Sequence, residues 1–212
     1  MRFRLPIVGL FAISVLAFGS LRLIRGASTL PAQASRESGR TPVLVELFTS
    51  EGCSSCPPAD ALLERFDRSQ PVRGAELIVL SEHVDYWNDI GWKDPYSSQE
   101  YSQRQSAYAS QFGLGGIYTP QMVVDGHFEF VGSDERRATQ SIENAAKATK
   151  IPVSITPVLS GKGTATVHVE TGAVPSSVPA ESGGVFLAIA DNSDESRVNG
   201  GENAGRTLKH VA

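Results

Sequence analysis

Two apolar runs frame an amphipathic segment in the first half of the chain. Residues 43–49 and 75–80 are mostly apolar and rich in β-branched side chains, with Glu46 as an interruption of the first run, and this pattern predicts buried strands. Between them, a segment that begins at Pro57 carries apolar residues at helical spacing, namely Ala59, Leu62, Leu63 and Phe66. This order predicts a β-α-β unit with parallel strands and a right-handed crossover.

The pattern changes after the second predicted strand. Residues 82–116 are polar and aromatic, and we expect a loop followed by one helix in this region. Tyr101, Gln105 and Tyr108 fall near one face of that helix. The segment therefore reads as an insertion between two structural units.

The next unit combines a hairpin and a helix. Asp125 and Gly126 separate two apolar runs and predict a tight turn of the primed type. Ser133–Glu135 offers a helix N-cap with first-turn acids, and Lys147 and Lys150 suit the negative end of the helix dipole. We therefore predict a β-β-α unit that ends near residue 150.

Residues 151–212 have a different character. Three short apolar or alternating runs, at 153–158, 164–170 and 185–190, are separated by turns rich in Gly, Ser and Pro. This pattern predicts a small antiparallel sheet, which forms a β-rich C-terminal extension. The glycine-rich stretch "GGENAG" has no helix after it, as a phosphate-binding loop would require, and we interpret it as a turn.

The N-terminus carries an export pattern. Arg2 and Arg4 precede an uncharged run over residues 5–21, and Ala32-Gln33-Ala34 supplies the small-x-small pattern of a cleavage site. Residues 1–34 are therefore predicted to be a signal peptide, with an uncleaved N-terminal anchor as the alternative, and residues 35–42 a flexible leader. Either interpretation places the folded part outside the cytoplasm, in the periplasm or secreted.

The net charge of the protein indicates which kinds of partner it can bind. Residues 1–34 hold four arginines and no acid, so their removal changes the formal charge from −4 to −8. An acidic protein is a poor ligand for nucleic acid or anionic lipid, so small molecules or other proteins are expected, with membrane contact only through an uncleaved N-terminus.

The chain has two cysteines, Cys53 and Cys56, between the first strand and the first helix. A thiol at a helix start faces unpaired backbone N–H groups and the positive end of the helix dipole, which favour the reactive thiolate. Cys53, normally the more exposed, is predicted to attack and Cys56 to resolve the mixed disulfide, and the reverse assignment is the second choice. The alternatives are an inert structural disulfide and a metal clamp.

The order of these elements around Cys-x-x-Cys resembles the thioredoxin fold. We therefore expect an α/β thioredoxin-like domain over residues 43–150 with a helical and loop insertion. The resemblance implies that the bond between Thr119 and Pro120 is cis and faces the cysteines, with Thr119 pairing with an incoming peptide. It also implies that Glu46, close to the position of a buried acid in thioredoxins, assists proton transfer, while a Glu on a wet strand face is an equal alternative.

Four blocks make the resemblance more specific. They read "VELFTSEGCSSCPPAD", "HVDYWNDIGWKDPY", "RQSAYA" and "YTPQMVVDG". Together they resemble an exported bacterial family of thioredoxin-like proteins, domain of unknown function 1223, strongly over residues 43–150 and more weakly to residue 208. The family has no established substrate. Its pattern implies further β structure after "GENAGRTL", so the extension over residues 151–212 is expected to be truncated and to expose a strand edge.

Other side chains extend the predicted site. His83 follows the second strand and is a candidate proton carrier, or a third ligand in a copper or zinc site with the two cysteines. Tyr86, Trp87 and Trp92 are candidates for a substrate groove, although aromatic residues in a loop more often serve packing.

The residues on either side of the cysteine pair indicate that the Cys53 thiol is only weakly acidic. Pro57 and Pro58 are expected to delay the regular helix to about Pro58 and so weaken its dipole at Cys53. Glu51 and Asp60 add negative charge, which raises a thiol pKa. We therefore expect a thiol–disulfide oxidoreductase that needs no cofactor beyond its own disulfide and exchanges with protein or small-molecule thiols. A binding module with an inert disulfide, or a metal carrier, is the alternative.

Overall fold

The computed structural model describes residues 39–160, 164–175 and 184–211. The predicted signal peptide and most of the predicted leader lie outside these residues. Within the described part of the chain, no helix combines the length and the apolar character needed to cross a membrane.

A four-stranded mixed sheet forms the centre of the fold. Its strands are β1 (Thr41–Thr49), β2 (Ala75–His83), β3 (Gln121–Val124) and β4 (Phe128–Val131), in the order β2-β1-β3-β4. β1 and β2 are parallel, as predicted, and β3 is antiparallel to both β1 and β4. β2 extends three residues beyond the predicted end, to His83, which brings that side chain to the same edge of the sheet as the end of β1.

In the described part of the chain, three helices cover the sheet. They are α1 (Pro57–Ser69), α2 (Gln99–Phe112) and α3 (Glu135–Ala145), so the predicted β-α-β and β-β-α units and the α/β class are confirmed. The apolar faces of α1 and α3 share one core with the β1 residues Val43, Val45 and Leu47. The opposite face of β1 carries Phe48, which packs with side chains of α2 in a second, smaller core.

The β3–β4 hairpin has the predicted turn. Asp125 and Gly126 have φ angles of 55° and 66°, the positive values that a primed turn requires. Asp134 caps α3 by accepting a hydrogen bond from the backbone N–H of Arg137 at 3.0 Å. The prediction that Lys147 and Lys150 close α3 is wrong, because the helix ends at Ala145 and Lys150 is ion-paired with Asp125.

The C-terminal part confirms the prediction in part, because the runs at 153–158 and 164–170 lie in two strands that pair antiparallel. Two antiparallel pairs replace the single expected sheet: β5 (Val153–Ser160) with β6 (Thr164–Thr171), and β7 (Asp194–Arg197) with β8 (Thr207–His210). Residues 185–190, predicted as a strand, are exposed and form no strand. Next to β8, Val211 packs in the same core as α1, and this contact anchors the end of the chain near the cysteine pair.

Candidate functional site

The cysteine loop, residues 50–56, connects β1 to α1 and carries the site. Cys53 and Cys56 form a disulfide with a Cα–Cα distance of 5.4 Å. Both residues have 0% exposure, so the expectation that Cys53 is the more exposed of the two is wrong. Ser54 and Ser55 between them are exposed, and the Ser55 hydroxyl lies 3.3 Å from Cys53 Sγ.

Helix α1 begins closer to the cysteines than the two prolines suggest. It starts at Pro57, and Cys56 itself has helical backbone angles, φ −78° and ψ −38°. The Cys56 carbonyl accepts hydrogen bonds from the backbone N–H groups of Ala59 and Asp60 at 2.8 and 3.1 Å. The expected delay of the helix to Pro58 is therefore wrong, and Cys56 lies directly at the positive end of the helix dipole.

Asp60 lies one helical turn after Cys56, on the same face of α1. Its Oδ1 accepts a hydrogen bond of 2.7 Å from the hydroxyl of Thr49, the last residue of β1. Burial disfavours the charged form and raises the pKa of Asp60 to about 6, although the Thr49 bond and the nearby His83 and His210 oppose the shift. A carboxyl with this pKa can both accept and release a proton near neutral pH.

A buried cluster of two acids and two imidazoles lies beside the cysteine loop. Asp94 Oδ2 accepts from the backbone N–H of Glu51 at 2.8 Å and lies 2.7 Å from His83 Nδ1. Glu51 Oε1 lies 2.9 Å from His210 Nε2, and Glu51 Oε2 accepts from Trp92 Nε1 at 2.7 Å. The rings of His83 and His210 meet edge to face, with centroids 4.7 Å apart.

Opposing effects set the charges in this cluster. Burial acts to raise the pKa of Glu51, but hydrogen bonds from His210, Ser196 and Trp92 outweigh it and lower the pKa. Burial likewise acts to lower the pKa of His210, but its bond to Glu51 and the charge of Asp60 outweigh it and raise the pKa. The pair therefore favours a carboxylate bonded to an imidazolium.

The predicted proline site is linked to the cysteine loop through Trp87. The peptide bond between Thr119 and Pro120 is cis, as the resemblance implies, and Pro120 is buried. Thr119 Oγ1 accepts a hydrogen bond of 2.8 Å from Trp87 Nε1. A Cβ atom added at Gly52 would lie 3.2 Å from the Trp87 Cβ, so Trp87 bridges the proline segment and the cysteine loop.

The other two predicted aromatic residues have different neighbours. Trp92 is half-buried and bonded to Glu51, so it supports the cysteine loop from inside. The Tyr86 hydroxyl donates to Gln105 Oε1 at 3.2 Å in α2, and burial raises the pKa of Tyr86. The structure thus brings Trp87, Trp92 and Thr119 together around the loop, while Tyr86 is directed to α2.

Glu46 lies on the other side of the sheet from α1. Its neighbour Leu47 faces α1, and Glu46, on the opposite face, is fully buried against α2. Arg104 Nε and the Tyr108 hydroxyl donate to its two carboxylate oxygens at 2.6 and 2.7 Å. The structure therefore does not bring Glu46 to the cysteines, and the acid one helical turn from Cys56 is Asp60.

A second acid shares the surroundings of Glu46. Glu82 Oε1 lies 3.4 Å from Arg104 Nε, and among the described residues the buried Glu82 Oε2 has no hydrogen-bond partner. Burial and the neighbouring Glu46 carboxylate raise the pKa of Glu82 to about 8. This group is therefore protonated at neutral pH, and Glu46 and Arg104 form the charged pair.

The three candidate metal ligands are paired with other groups in this structure. The two cysteines are joined to each other, and His83 Nδ1 is bonded to Asp94. Among the residues that the structure describes, no three His, Cys, Asp or Glu side chains are arranged to hold a metal ion.

Sequence reasoning missed Asn203, which lies in the turn "GGENAG". Its Nδ2 donates hydrogen bonds to the carbonyls of Glu51 and Cys53 at 2.8 and 2.9 Å. Asn203 is fully buried and lies 150 residues from Cys53, so no local pattern could have indicated this contact.

Comparison with known proteins identifies a family but no activity. A family model described as "Protein of unknown function (DUF1223)" matches residues 44–212. No curated protein matches the chain. A crystal structure of a protein from Agrobacterium tumefaciens has 27% sequence identity and a TM-score of 0.55, over 80% of this chain and 78% of that chain.

Proposed function

The chain belongs to this family of unknown function, and we propose that it is a thiol–disulfide oxidoreductase that acts through Cys53 and Cys56. The observation that carries the proposal is the disulfide at the junction of β1 and α1, one helical turn from a carboxyl whose pKa is about 6. Disulfide exchange needs a stabilised thiolate and a nearby proton carrier, and this junction offers both.

We also propose that the domain is thioredoxin-like. The mixed sheet in the order β2-β1-β3-β4, with α1 between two parallel strands, supports this assignment. The cis bond before Pro120, at the start of β3, supports it as well.

The proposed reaction has two steps. A thiolate of a reduced partner attacks Cys53 Sγ, a new S–S bond forms, and the bond to Cys56 breaks, so that Cys56 leaves as a thiolate and takes up a proton. A second thiolate of the partner then attacks the partner's sulfur in the mixed disulfide. A disulfide forms within the partner, the bond to Cys53 breaks, and Cys53 leaves as a thiolate and takes up a proton. The partner loses two electrons and two protons, and the cysteine pair gains them. In the opposite direction Cys53 attacks and Cys56 resolves.

Asp60 takes the proton-carrying role proposed for Glu46. It lies on the same helical face as Cys56, with His83 and His210 close enough to influence its charge. His83 is bonded to Asp94 and therefore acts by fixing the charge around Asp60. Thr119, Pro120 and Trp87 are the proposed contact surface for the partner.

A second function, a binding module with an inert disulfide, is favoured by one observation. Cys53 and Cys56 both have 0% exposure, as expected for a structural bridge. The reduction potential separates the two functions, because structural disulfides have values below about −300 mV.

The test combines that potential with trapping. In the purified protein, we expect a potential above about −300 mV. Cys56→Ser should accumulate a mixed disulfide through Cys53, while the matched variant Cys53→Ser should accumulate much less. A potential below that limit together with no trapped partner in either variant would show that the disulfide is structural.

We further propose that the protein is exported, on the basis of Arg2, Arg4, the apolar run over residues 5–21 and the small residues before position 35. Fractionation of cells expressing the full chain should recover it from the periplasm or the medium. Mass spectrometry of its N-terminus then distinguishes cleavage after Ala34 from retention as an anchor. Recovery in the cytoplasm would contradict the proposal.

A further inference from the structure

The C-terminal loop, residues 198–206, is a closed turn between β7 and β8. Val198 is fully buried, its carbonyl accepts from the backbone N–H of Gly205 at 2.8 Å, and its own N–H donates to Arg206 at 2.9 Å. The Arg206 guanidinium donates to Asn203 Oδ1 at 3.0 Å and so fixes which way the Asn203 amide points. The loop therefore presents the Asn203 Nδ2 as a donor.

This donor is directed at the cysteine loop. The carbonyls of Glu51 and Cys53 converge on Asn203 Nδ2, at 2.8 and 2.9 Å. The next residue of the cysteine loop is held as well, because the backbone N–H of Ser54 donates to Glu202 Oε2 at 3.0 Å. Three main-chain groups around Cys53 are thus occupied by two adjacent side chains of the C-terminal loop.

Glycines fit the loop against the neighbouring segment. A Cβ atom at Gly200 would lie 2.3 Å from the carbonyl oxygen of Gly91, and one at Gly201 would lie 3.0 Å from the Trp92 Cβ. Trp92 in turn donates to Glu51. The C-terminal loop therefore packs on the same residues that support the cysteine loop.

Thiol exchange is incompatible with this arrangement. An attacking thiolate has to reach a disulfide sulfur directly, and access is one of the factors that set its rate. Neither cysteine has exposed surface, so a segment around the cysteine loop has to move before exchange. Trp87, on the proline side, is fixed by Thr119 next to the central sheet, whereas the C-terminal loop belongs to a separate two-stranded pair.

We propose that the C-terminal loop is a cover over the disulfide and that Asn203 is the positioning residue that sets how often the cover opens. This inference rests on the proposed function and specifies how that site is controlled. Exchange proceeds from the open form, so its rate follows the population of that form. Asn203 thereby limits which thiols react.

Asn203→Asp tests the role with little change in side-chain size. The carboxylate still accepts from Arg206 but cannot donate to the two carbonyls, so the closed form is weakened. The matched control is Asn199→Asp, which makes the same chemical change at an exposed position in the same loop. Glu202→Gln, at an exposed residue, is a milder second variant in case Asn203→Asp folds poorly.

Two measurements are made on each folded variant with its disulfide intact. One is the rate at which dithiothreitol reduces the disulfide, and the other is amide hydrogen exchange in residues 51–54. Loss of two buried hydrogen bonds should raise both rates by roughly ten- to hundredfold in Asn203→Asp. Glu202→Gln should raise them less, and Asn199→Asp should match the wild type.

The two readouts separate this proposal from the proposed function. If the rates of amide exchange and of disulfide reduction in Asn203→Asp and Glu202→Gln equal those of the wild type, the C-terminal loop is not a cover over the disulfide. Another outcome is faster amide exchange in Asn203→Asp while the reduction potential and the trapping experiment show a structural disulfide. That result would support Asn203 as the residue that holds the loop closed, and it would contradict the proposed oxidoreductase function. Faster exchange and faster reduction together support both.

Discussion

Asp60 is the side chain whose chemistry depends most on its surroundings. Its sequence neighbours, Ala59 and Ala61, give no reason for an altered pKa, and the shift follows from burial against the end of β1. An acid whose pKa is higher in the folded than in the unfolded protein binds protons more tightly when folded. Stability therefore falls as pH rises from about 4 to about 6 and then stays at the lower value.

Replacing this acid should stabilise the protein at neutral pH. The Asp60→Asn side chain is uncharged at every pH and keeps an oxygen that can accept from the Thr49 hydroxyl. The variant should therefore be more stable than the wild type at pH 7 by about 3 kcal/mol, the free energy that corresponds to a pKa raised from 3.8 to about 6. At pH 4 the gain should nearly vanish. Urea unfolding at the two pH values measures the difference.

Asp67→Asn is the control for this comparison, because Asp67 is exposed on the same helix. It should leave stability within about 0.5 kcal/mol at both pH values. An equal gain for Asp60→Asn at pH 4 and pH 7 would mean that ionisation of Asp60 is not the cause.

At the scale of elements, helix α2 is attached to the sheet by an ion pair. Arg104 reaches Glu46 in β1 at 2.6 Å and Glu82 in β2 at 3.4 Å. The Glu46 side chain is fully buried, so removal of its cation would leave a charged group in the interior without a compensating charge.

Arg104→Met should destabilise the protein by about 2–4 kcal/mol, because it breaks this buried pair from one side. Arg65→Met is the control, since Arg65 and Glu135 form an ion pair with more than half of each side chain exposed, and it should change stability by less than about 1 kcal/mol. The midpoint of urea unfolding gives both values. Equal effects of the two substitutions would contradict a structural role for the Arg104 pair.

Helices and strands were predictable where apolar residues recur along the sequence with a clear period. The two parallel strands, three helices and the Asp125-Gly126 turn follow from local patterns. The predicted runs at 153–158 and 164–170 also lie in strands, β5 and β6. Strand β7 was not predictable, because it has the polar sequence Asp-Glu-Ser-Arg and is ordered by pairing with β8 rather than by an apolar face. The apolar run over residues 185–190 suggested a strand, but it lies exposed and outside both C-terminal sheets.

At the scale of the whole molecule, segments that are distant in the sequence converge on the cysteine loop. Ser196 and His210 bond to Glu51 across 145 and 159 residues, and Trp92 bonds to it across 41. The cysteine pair was predictable because its motif is local. Glu51, Asp94, His210 and Asn203 were not recognised as one group, because only the folded arrangement places them together.

The bond between Glu51 and His210 should make the attachment of β8 pH-dependent. The raised pKa of His210 gives a contribution that is complete below about pH 6.5 and is lost as pH rises through its folded value. The lowered pKa of Glu51 gives one that is complete above about pH 4.5 and is lost as pH falls through its folded value. Both contributions to stability are therefore complete between about pH 4.5 and about pH 6.5.

His210→Gln should therefore destabilise the protein more at pH 5.5 than at pH 9, as measured by urea unfolding. His168→Gln is the control, because His168 lies exposed in β6 and should show little effect at either pH. A destabilisation by His210→Gln that is the same at both pH values would indicate lost packing rather than a charged pair.

The position of the C-terminal loop also bears on how the protein matures. A ribosome delivers residues 53 and 56 long before residues 198–206, so the cysteines emerge before Asn203 exists to cover them. An oxidant can therefore reach the thiols during synthesis and the proposed export, and the proposed cover then closes on a bond that is already made. The order of the chain thus lets one disulfide be easy to form early and difficult to reach later.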